Sequence, residues 1–307
     1  MTQASAAGGR AAVTGVVRAA PAKLNLYLHV TGKRADGYHL LDSLVAFAGV
    51  HDTLIARDSE ELSLSLAGPF AAKLEGEPDN LALRAARKFR ERAGIKNGAA
   101  ITLIKRLPVA SGIGGGSSDA AASLRALDAL WRTRASEEDL AALGLEIGAD
   151  VPACLYGRAA FIGGVGERIV PSPALPRVPL VLVNPGAALS TAAVFAARDG
   201  SFGEAGRFSE APKDAGDLAR LLALRSNDLI NAAIMLCPPV SRVIGALVRA
   251  GGCRLSRMSG SGATCFGIFE DERSARRAAA DIAAHEPGWW VAATELVADT
   301  SLLKPLI

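Results

Sequence analysis

The sequence predicts an α+β fold in two parts, residues 18–170 and 171–307. Three observations carry the prediction. At 307 residues the chain is longer than one hydrophobic core ordinarily organises, and half of it is apolar. Strand-like and helix-like segments follow one another irregularly instead of in a βαβα alternation. The stretch PSPALPRVP, residues 171–179, holds four prolines in nine positions. Proline is excluded from helix interiors and central strands, so this stretch marks the boundary between the parts.

The elements follow in order. Residues 1–17, beginning MTQASAAGGRAAVTG, have no sustained apolar run and are expected to be a disordered tail, not a signal peptide. AKLNLYLHV alternates: Leu24, Leu26, Leu28 and Val30 fall on one face, Lys23, Asn25, Tyr27 and His29 on the other. LSLSLAG near residue 64 and AAITLIKRLP near residue 103 alternate too, and all three read as half-buried antiparallel strands. Helices are expected near 80–94, 118–133 and 136–147. Beyond the prolines, LVLVNPG reads as a buried strand, 199–216 as a Gly-rich mobile loop, and PPVSRVIGALVRAGG as a helix closed by glycine. TCFGIFED, SARRAAADIAAH and WWVAATELV then read as strand, helix and strand.

Composition excludes several function classes. Lys and Arg number 34 against 31 Asp and Glu, so the net charge is only +3, which argues for neither nucleic acid nor a membrane surface as partner. The aromatic residues are few and form no stripe suited to RNA. Cys154, Cys237, Cys253 and Cys265 form no C-x-x-C pair and the four histidines do not cluster with them, so no metal site is expected. Buried thiols in a reducing, cytoplasmic setting are expected instead. A monomer or weak dimer is expected.

The informative stretch is PVASGIGGGSSDAAASLRALDALW, Pro108 to Trp131. Four glycines in five positions precede a helix for which Ser118 or Asp119 is a suitable N-cap. A helix N-terminus offers free N–H groups and a partial positive charge, and glycines let a ligand approach that backbone. The combination suits an anion such as phosphate. A flexible linker or tight turn is the alternative. The P-loop pattern fails because no Lys follows Gly116, and the dinucleotide fingerprint fails because Ser117 stands where its third glycine belongs.

Three further stretches accompany it: PAKLNLYLHVTGKRADGYHLLDSLVAF (21–47), GADVPACLYG (148–157) and RMSGSGATCFGIF (257–269). On residues alone each has a plain reading. Lys23 and Asn25 share a strand face about 6.6 Å apart. That face could simply meet solvent. Asp150 could be a helix cap or turn residue, Tyr38 could pack after a D-G turn, and SGSG at 259–262 could be a tight turn. Together with the glycine stretch, in this order and spacing, they resemble the superfamily of galactokinase, homoserine kinase, mevalonate kinase and phosphomevalonate kinase, the GHMP kinases. Within it, PAKLNL, DGYH and GADVP resemble the branch that acts on a cytidine-diphosphate-linked methylerythritol, in the non-mevalonate route to isoprenoids.

The resemblance implies a two-domain GHMP kinase fold. Its N-terminal part would be like the second domain of ribosomal protein S5, its C-terminal part ferredoxin-like, with the active site between them. It implies transfer of the γ-phosphate of ATP, with Mg²⁺, to an alcohol of that small-molecule substrate. Pro108, Val109, Ala110, Ser111, Gly112, Ile113, Gly114, Gly115, Gly116, Ser117 and Ser118 would wrap the ATP phosphates. Lys23 and Asp150 match the catalytic pair. Tyr38 and His39 match residues that recognise the cytosine, Phe195 an aromatic closing on it, and Asn25 and Thr191 polar substrate contacts. Homoserine- and mevalonate-type kinases, or a non-catalytic nucleotide-binding protein, are the competing readings.

Overall fold

A computed structural model describes residues 15–76 and 79–306. Its N-terminal half begins with a long antiparallel hairpin, β1 (Val16–Lys33) and β2 (His39–Ser59). β3 (Leu62–Ala67), α1 (Leu81–Arg92) and β4 (Gly98–Ile104) follow, then α2 (Gly115–Trp131), α3 (Glu137–Ile147), α4 (Val151–Tyr156), β5 (Ala160–Gly164) and β6 (Arg168–Pro171). The tail expected over 1–17 lies mostly outside the described residues, and Val16 and Val17 already belong to β1. β1 is not half-buried: Lys23, Asn25 and Tyr27 are as covered as the leucines between them. A bulge between Asn25 and Tyr27 also interrupts the simple alternation. β3 and β4 pair in parallel, not antiparallel, because α1 forms a crossover between them. Helices α1 to α4 cover this sheet through Phe89, Leu124, Leu127, Leu140, Leu143, Val151 and Leu155.

The C-terminal half contains β7 (Pro179–Asn184), α5 (Thr191–Ala196), α6 (Ala215–Ala223), α7 (Ile230–Leu236), α8 (Pro239–Arg249), β8 (Cys253–Met258), β9 (Cys265–Phe269), α9 (Glu272–His285) and β10 (Trp290–Val297). Its strands lie in the order β10-β7-β9-β8, all antiparallel, with α8 and α9 as crossovers. This is the split βαβ arrangement of a ferredoxin-like unit. β10 then pairs with β2 at Leu296–Ala48 and Val297–Phe47, which joins both halves into one sheet. The proline stretch falls between β6 and β7.

Residues 199–214 contain no helix or strand, yet they are fastened down. Buried Asp42 of β2 accepts hydrogen bonds from the Tyr27 hydroxyl at 2.7 Å, the Gly206 N–H at 2.8 Å and Arg207 Nε at 2.7 Å. His29 Nδ1 lies 2.9 Å from the Glu204 carbonyl. The expected mobile loop is therefore a strap across the hairpin. An unpaired buried donor costs about 1–3 kcal/mol. Asp42→Ala strands two buried donors, the Tyr27 hydroxyl and the Gly206 N–H, and should lower unfolding free energy by about 2–6 kcal/mol in urea titrations. It should also open residues 199–214 to limited proteolysis before the rest of the chain.

Candidate active site

The glycine stretch is where the fold becomes chemical. α2 begins at Gly115, earlier than Ser118, and its N-cap is Gly114 in the left-handed conformation at φ 60°, with no side-chain cap. The capping roles expected of Ser118 and Asp119 do not arise. The Ser118 hydroxyl donates to the Pro21 carbonyl at 2.6 Å, and Asp119 accepts from Lys105 at 2.8 Å. Helix geometry leaves the first-turn N–H groups without an i−4 carbonyl, and without a cap they stay open to an anion.

The loop before the helix is held by backbone. The Lys23 N–H donates to the Ile113 carbonyl at 2.8 Å, and the Thr264 N–H donates to the Ser111 carbonyl at 3.0 Å. Gly112 has φ 75°, and a Cβ there would lie 2.4 Å from the Gly262 carbonyl oxygen and 2.7 Å from that of Ser259. That close approach to the 259–262 turn requires glycine. A Cβ at Gly115 would instead face Lys105 Nζ at 3.4 Å, behind the helix end.

β1 presents Lys23 beside this helix end. Its Nζ lies 2.9 Å from Asp150 Oδ1 and donates to Asn25 Oδ1 at 3.2 Å. Asn25 Nδ2 donates to the Ser43 hydroxyl at 2.8 Å, which fixes the amide orientation. Lys23 is buried, whereas half of the Asp150 side chain is exposed. Asp150 stands at the N-cap position of α4 but makes no capping hydrogen bond, so its carboxylate is committed to Lys23 and the open space. A capped turn therefore does not account for it.

These groups line one cavity of about 1060 Å³. Lys23, Asn25, Tyr38, His39, Asp150, Thr191 and Phe195 all reach it, as do Pro108, Val109, Ala110, Ser111, Gly112, Gly114, Gly115, Gly116 and Ser117. Ile113 and Ser118 do not: the Ile113 side chain packs in the core, and Ser118 is turned toward β1. The aromatic end is made by His39 and Phe195, stacked with ring centroids 5.2 Å apart. Tyr38 stands at the rim, 66 % exposed. Burial and the charges of Lys33 and Arg198 hold the His39 imidazole below its ordinary range. Thr191 Oγ1 lies 2.8 Å from the Ser261 hydroxyl, so the SGSG turn also reaches the cavity.

Sequence reasoning missed Leu74, Asn80, Leu81, Lys105 and Asp119, which line the cavity too. Asn80 caps α1, accepting from the Ala82 N–H at 3.0 Å, and a capping Asn before a helix was the one signal available for it. Among the described residues no group of three or more His, Cys, Asp or Glu could hold a metal ion. No helix among them is long and apolar enough to cross a membrane. All four cysteines are free, and burial pushes the Cys154 thiol up to about 12.

Comparison with known proteins gives the chain its place. Residues 80–158 match the family model described as the GHMP kinases N terminal domain, and residues 206–288 the one described as GHMP kinases C terminal. A protein from Rhodospirillum rubrum named 4-diphosphocytidyl-2-C-methyl-D-erythritol kinase is 51% identical over 290 residues, covering 94% of this chain and 95% of its own. A protein of the same name from Parvibaculum lavamentivorans is 54% identical over 279 residues, 90% of this chain and 96% of its own. A crystal structure of 4-(cytidine 5'-diphospho)-2C-methyl-D-erythritol kinase superposes with a TM-score of 0.75 at 38% identity, covering 91% of this chain and 98% of that one. A homoserine kinase from Cytophaga hutchinsonii, at 17% identity and a TM-score of 0.70, shares the fold. With the two domain matches and half of all residues shared across nearly full-length relatives, this chain belongs to the 4-diphosphocytidyl-2-C-methyl-D-erythritol kinase family of the GHMP kinases.

Proposed function

We propose that this chain transfers the γ-phosphate of ATP to the 2-hydroxyl of 4-(cytidine 5'-diphospho)-2-C-methyl-D-erythritol, in the cytoplasm, with residues 18–170 carrying most of the ATP site and 171–307 closing the substrate side. One observation carries the reading. The Lys23–Asp150 pair stands in a single cavity that also holds an uncapped helix N-terminus and an aromatic stack. An anion-binding end, an ion pair and an aromatic base site are the three parts this phosphoryl transfer needs.

The chain's groups divide the work by chemistry. The α2 N-terminus and the 108–117 backbone would receive the phosphates, and the apolar side chains Leu74, Leu81 and Val109 suit the adenine. A cradle at Gly112 with no room for a Cβ fits a ligand lying close against backbone. Mg²⁺ also fits, as an ion held chiefly by the phosphates with waters retained, with Ser117 and Asp150 offering protein oxygens in the cavity wall. When bound it supplies charge neutralisation on the transferring phosphoryl group. Phosphoryl transfer leaves the protein positioning and electrostatics to perform. Asp150, held by Lys23, would accept or orient the acceptor hydroxyl's proton, while Lys23 stabilises charge on the attacking oxygen. A neutral His39 can donate with one ring nitrogen and accept with the other, which suits the edge of a cytosine.

Asp150→Asn keeps size and hydrogen bonding but cannot take a proton. kcat should fall by about 10²–10⁴-fold while calorimetry shows both ligands still bound. Lys23→Ala should do similar harm, and the double variant little more, as groups acting as a unit are non-additive. Turnover within a few-fold of the parent would remove the pair from the mechanism. At the other end, Phe195→Ala should raise KM for the cytidine substrate by about 5–150-fold, the worth of about 1–3 kcal/mol of stacking, and leave KM for ATP unchanged. Equal loss for both substrates would contradict the base-site assignment.

A further inference from the structure

Arg257 opens the RMSGSG stretch and has no part in the reaction as described. It belongs to β8, the outermost strand of the C-terminal half, where it pairs with Phe266 of β9. Its guanidinium is committed to three carbonyls and reaches β1 in the other half. Nη1 donates to the Leu26 carbonyl at 2.8 Å, and Nη2 donates to the carbonyls of Leu222 at 2.9 Å and Arg225 at 2.6 Å. No acid among the described residues pairs with it, and burial and the like charge of Arg225 push the guanidinium down to about 10. Taking a charge partly out of water without a counter-charge is costly, so its place calls for a reason.

The Leu26 carbonyl supplies one. β1 pairs with β2 at Asn25–Val45 and next at Tyr27–Leu44, so Leu26 is an extra residue with no partner across the ladder. Leu26 and Tyr27, neighbours in sequence, both pack into one core cluster, as a bulge allows. The backbone on either side is held by side chains as well. The Asn25 N–H donates to the Ser259 hydroxyl at 3.1 Å, and the Ser43 hydroxyl donates to the Tyr27 carbonyl at 2.5 Å. That Ser43 hydroxyl is the one that accepts from Asn25 Nδ2. A second register shift falls between Pro21 and Lys23. Lys23 and Asn25 therefore stand on a short stretch of regular pairing with an irregularity at each end. Bulges re-aim the side chains beside them.

We infer, on the kinase reading above, that Arg257 is a positioning residue for phosphoryl transfer. By holding the Leu26 carbonyl it fixes the bulge that aims the Asn25 amide, and Asn25 Oδ1 in turn holds Lys23 Nζ. Arg257 does not line the cavity, so its effect passes through Asn25. The planar fork of a guanidinium can serve three carbonyls in fixed directions, which the point charge of a lysine cannot.

The test is a double-variant cycle on the full chain, with ATP and the cytidine substrate. Arg257→Met keeps length and removes every donor. Competent protein is counted by calorimetric titration with ATP, so a loss of folded protein alone does not lower turnover per site. kcat per site should fall on the order of 10–100-fold, as small misplacements of reacting groups do, with KM for ATP within about threefold of the parent. In combination with Asn25→Ala, turnover should fall no more than about threefold below Asn25→Ala alone, because Arg257 then has no amide to aim. Where Arg257→Met does not fold, Arg257→Lys, which keeps the charge and loses the fork, goes through the same cycle with the same expectation. Unchanged kcat per site, or losses that multiply in the double variant, overturn this inference and leave the kinase reading standing. A parent chain that does not phosphorylate the cytidine substrate overturns both.

Discussion

A helix N-terminus without a capping side chain keeps its first N–H groups for a ligand and must be held in place by something other than its own cap. In this protein the start of α2 meets that constraint through backbone. Gly112 is wedged against the 259–262 turn, and the Ile113 carbonyl takes the Lys23 N–H. Ser118 reaches back to Pro21. The same contacts seat Lys23, so the uncapped helix end and the Lys23–Asp150 ion pair are fixed by one set of bonds. A side chain at Gly112 would push apart two backbones from opposite halves of the chain.

Charge is distributed in layers around that helix end. Lys23 and Asp150 form the layer open to the cavity, and Lys105, Asp52 and Asp119 form the layer behind it. In the front pair Lys23 is buried and half of the Asp150 side chain faces open space. The rear cluster is buried, with Lys105 and Asp119 contributing to the cavity wall. Both layers are tied to β1, β2 and the segment after β4, so their spacing is set by sheet geometry more than by loops.

Much of this was legible in the sequence, and the failures have physical reasons. Amphipathic segments read well: α1, α3, α8, α9, β7 and β10 are where periodicity placed them. β2 gave no strand signal because it is covered on both faces, and a strand without a solvent face does not alternate. β3 and β4 alternate as strands should, but alternation carries no information on direction, and only the crossover through α1 makes them parallel. The glycines marked the start of a helix, yet that helix begins three residues earlier than expected, with Gly114 at its N-cap and no capping side chain. Lys105 and Asp119 were invisible because their meaning lies in a contact with Asp52, more than fifty residues away from either.

The joined sheet has a consequence for how the protein is made. β10 follows every other strand in sequence, yet it lies between β2 and β7 and, among the described residues, is the one strand that pairs with strands of both halves. The segment after it adds to the join, with the Thr53 hydroxyl donating to the Leu306 carbonyl at 2.7 Å. While the ribosome still holds these residues, β2 and β7 each present unpaired backbone where β10 belongs, and exposed edges invite wrong partners. Pairing with β10 adds the sheet's own join to halves that also meet at Asp42–Gly206, at Thr264–Ser111 and where Gly112 abuts the 259–262 turn. Emergence of that strand is the step at which both edges become covered.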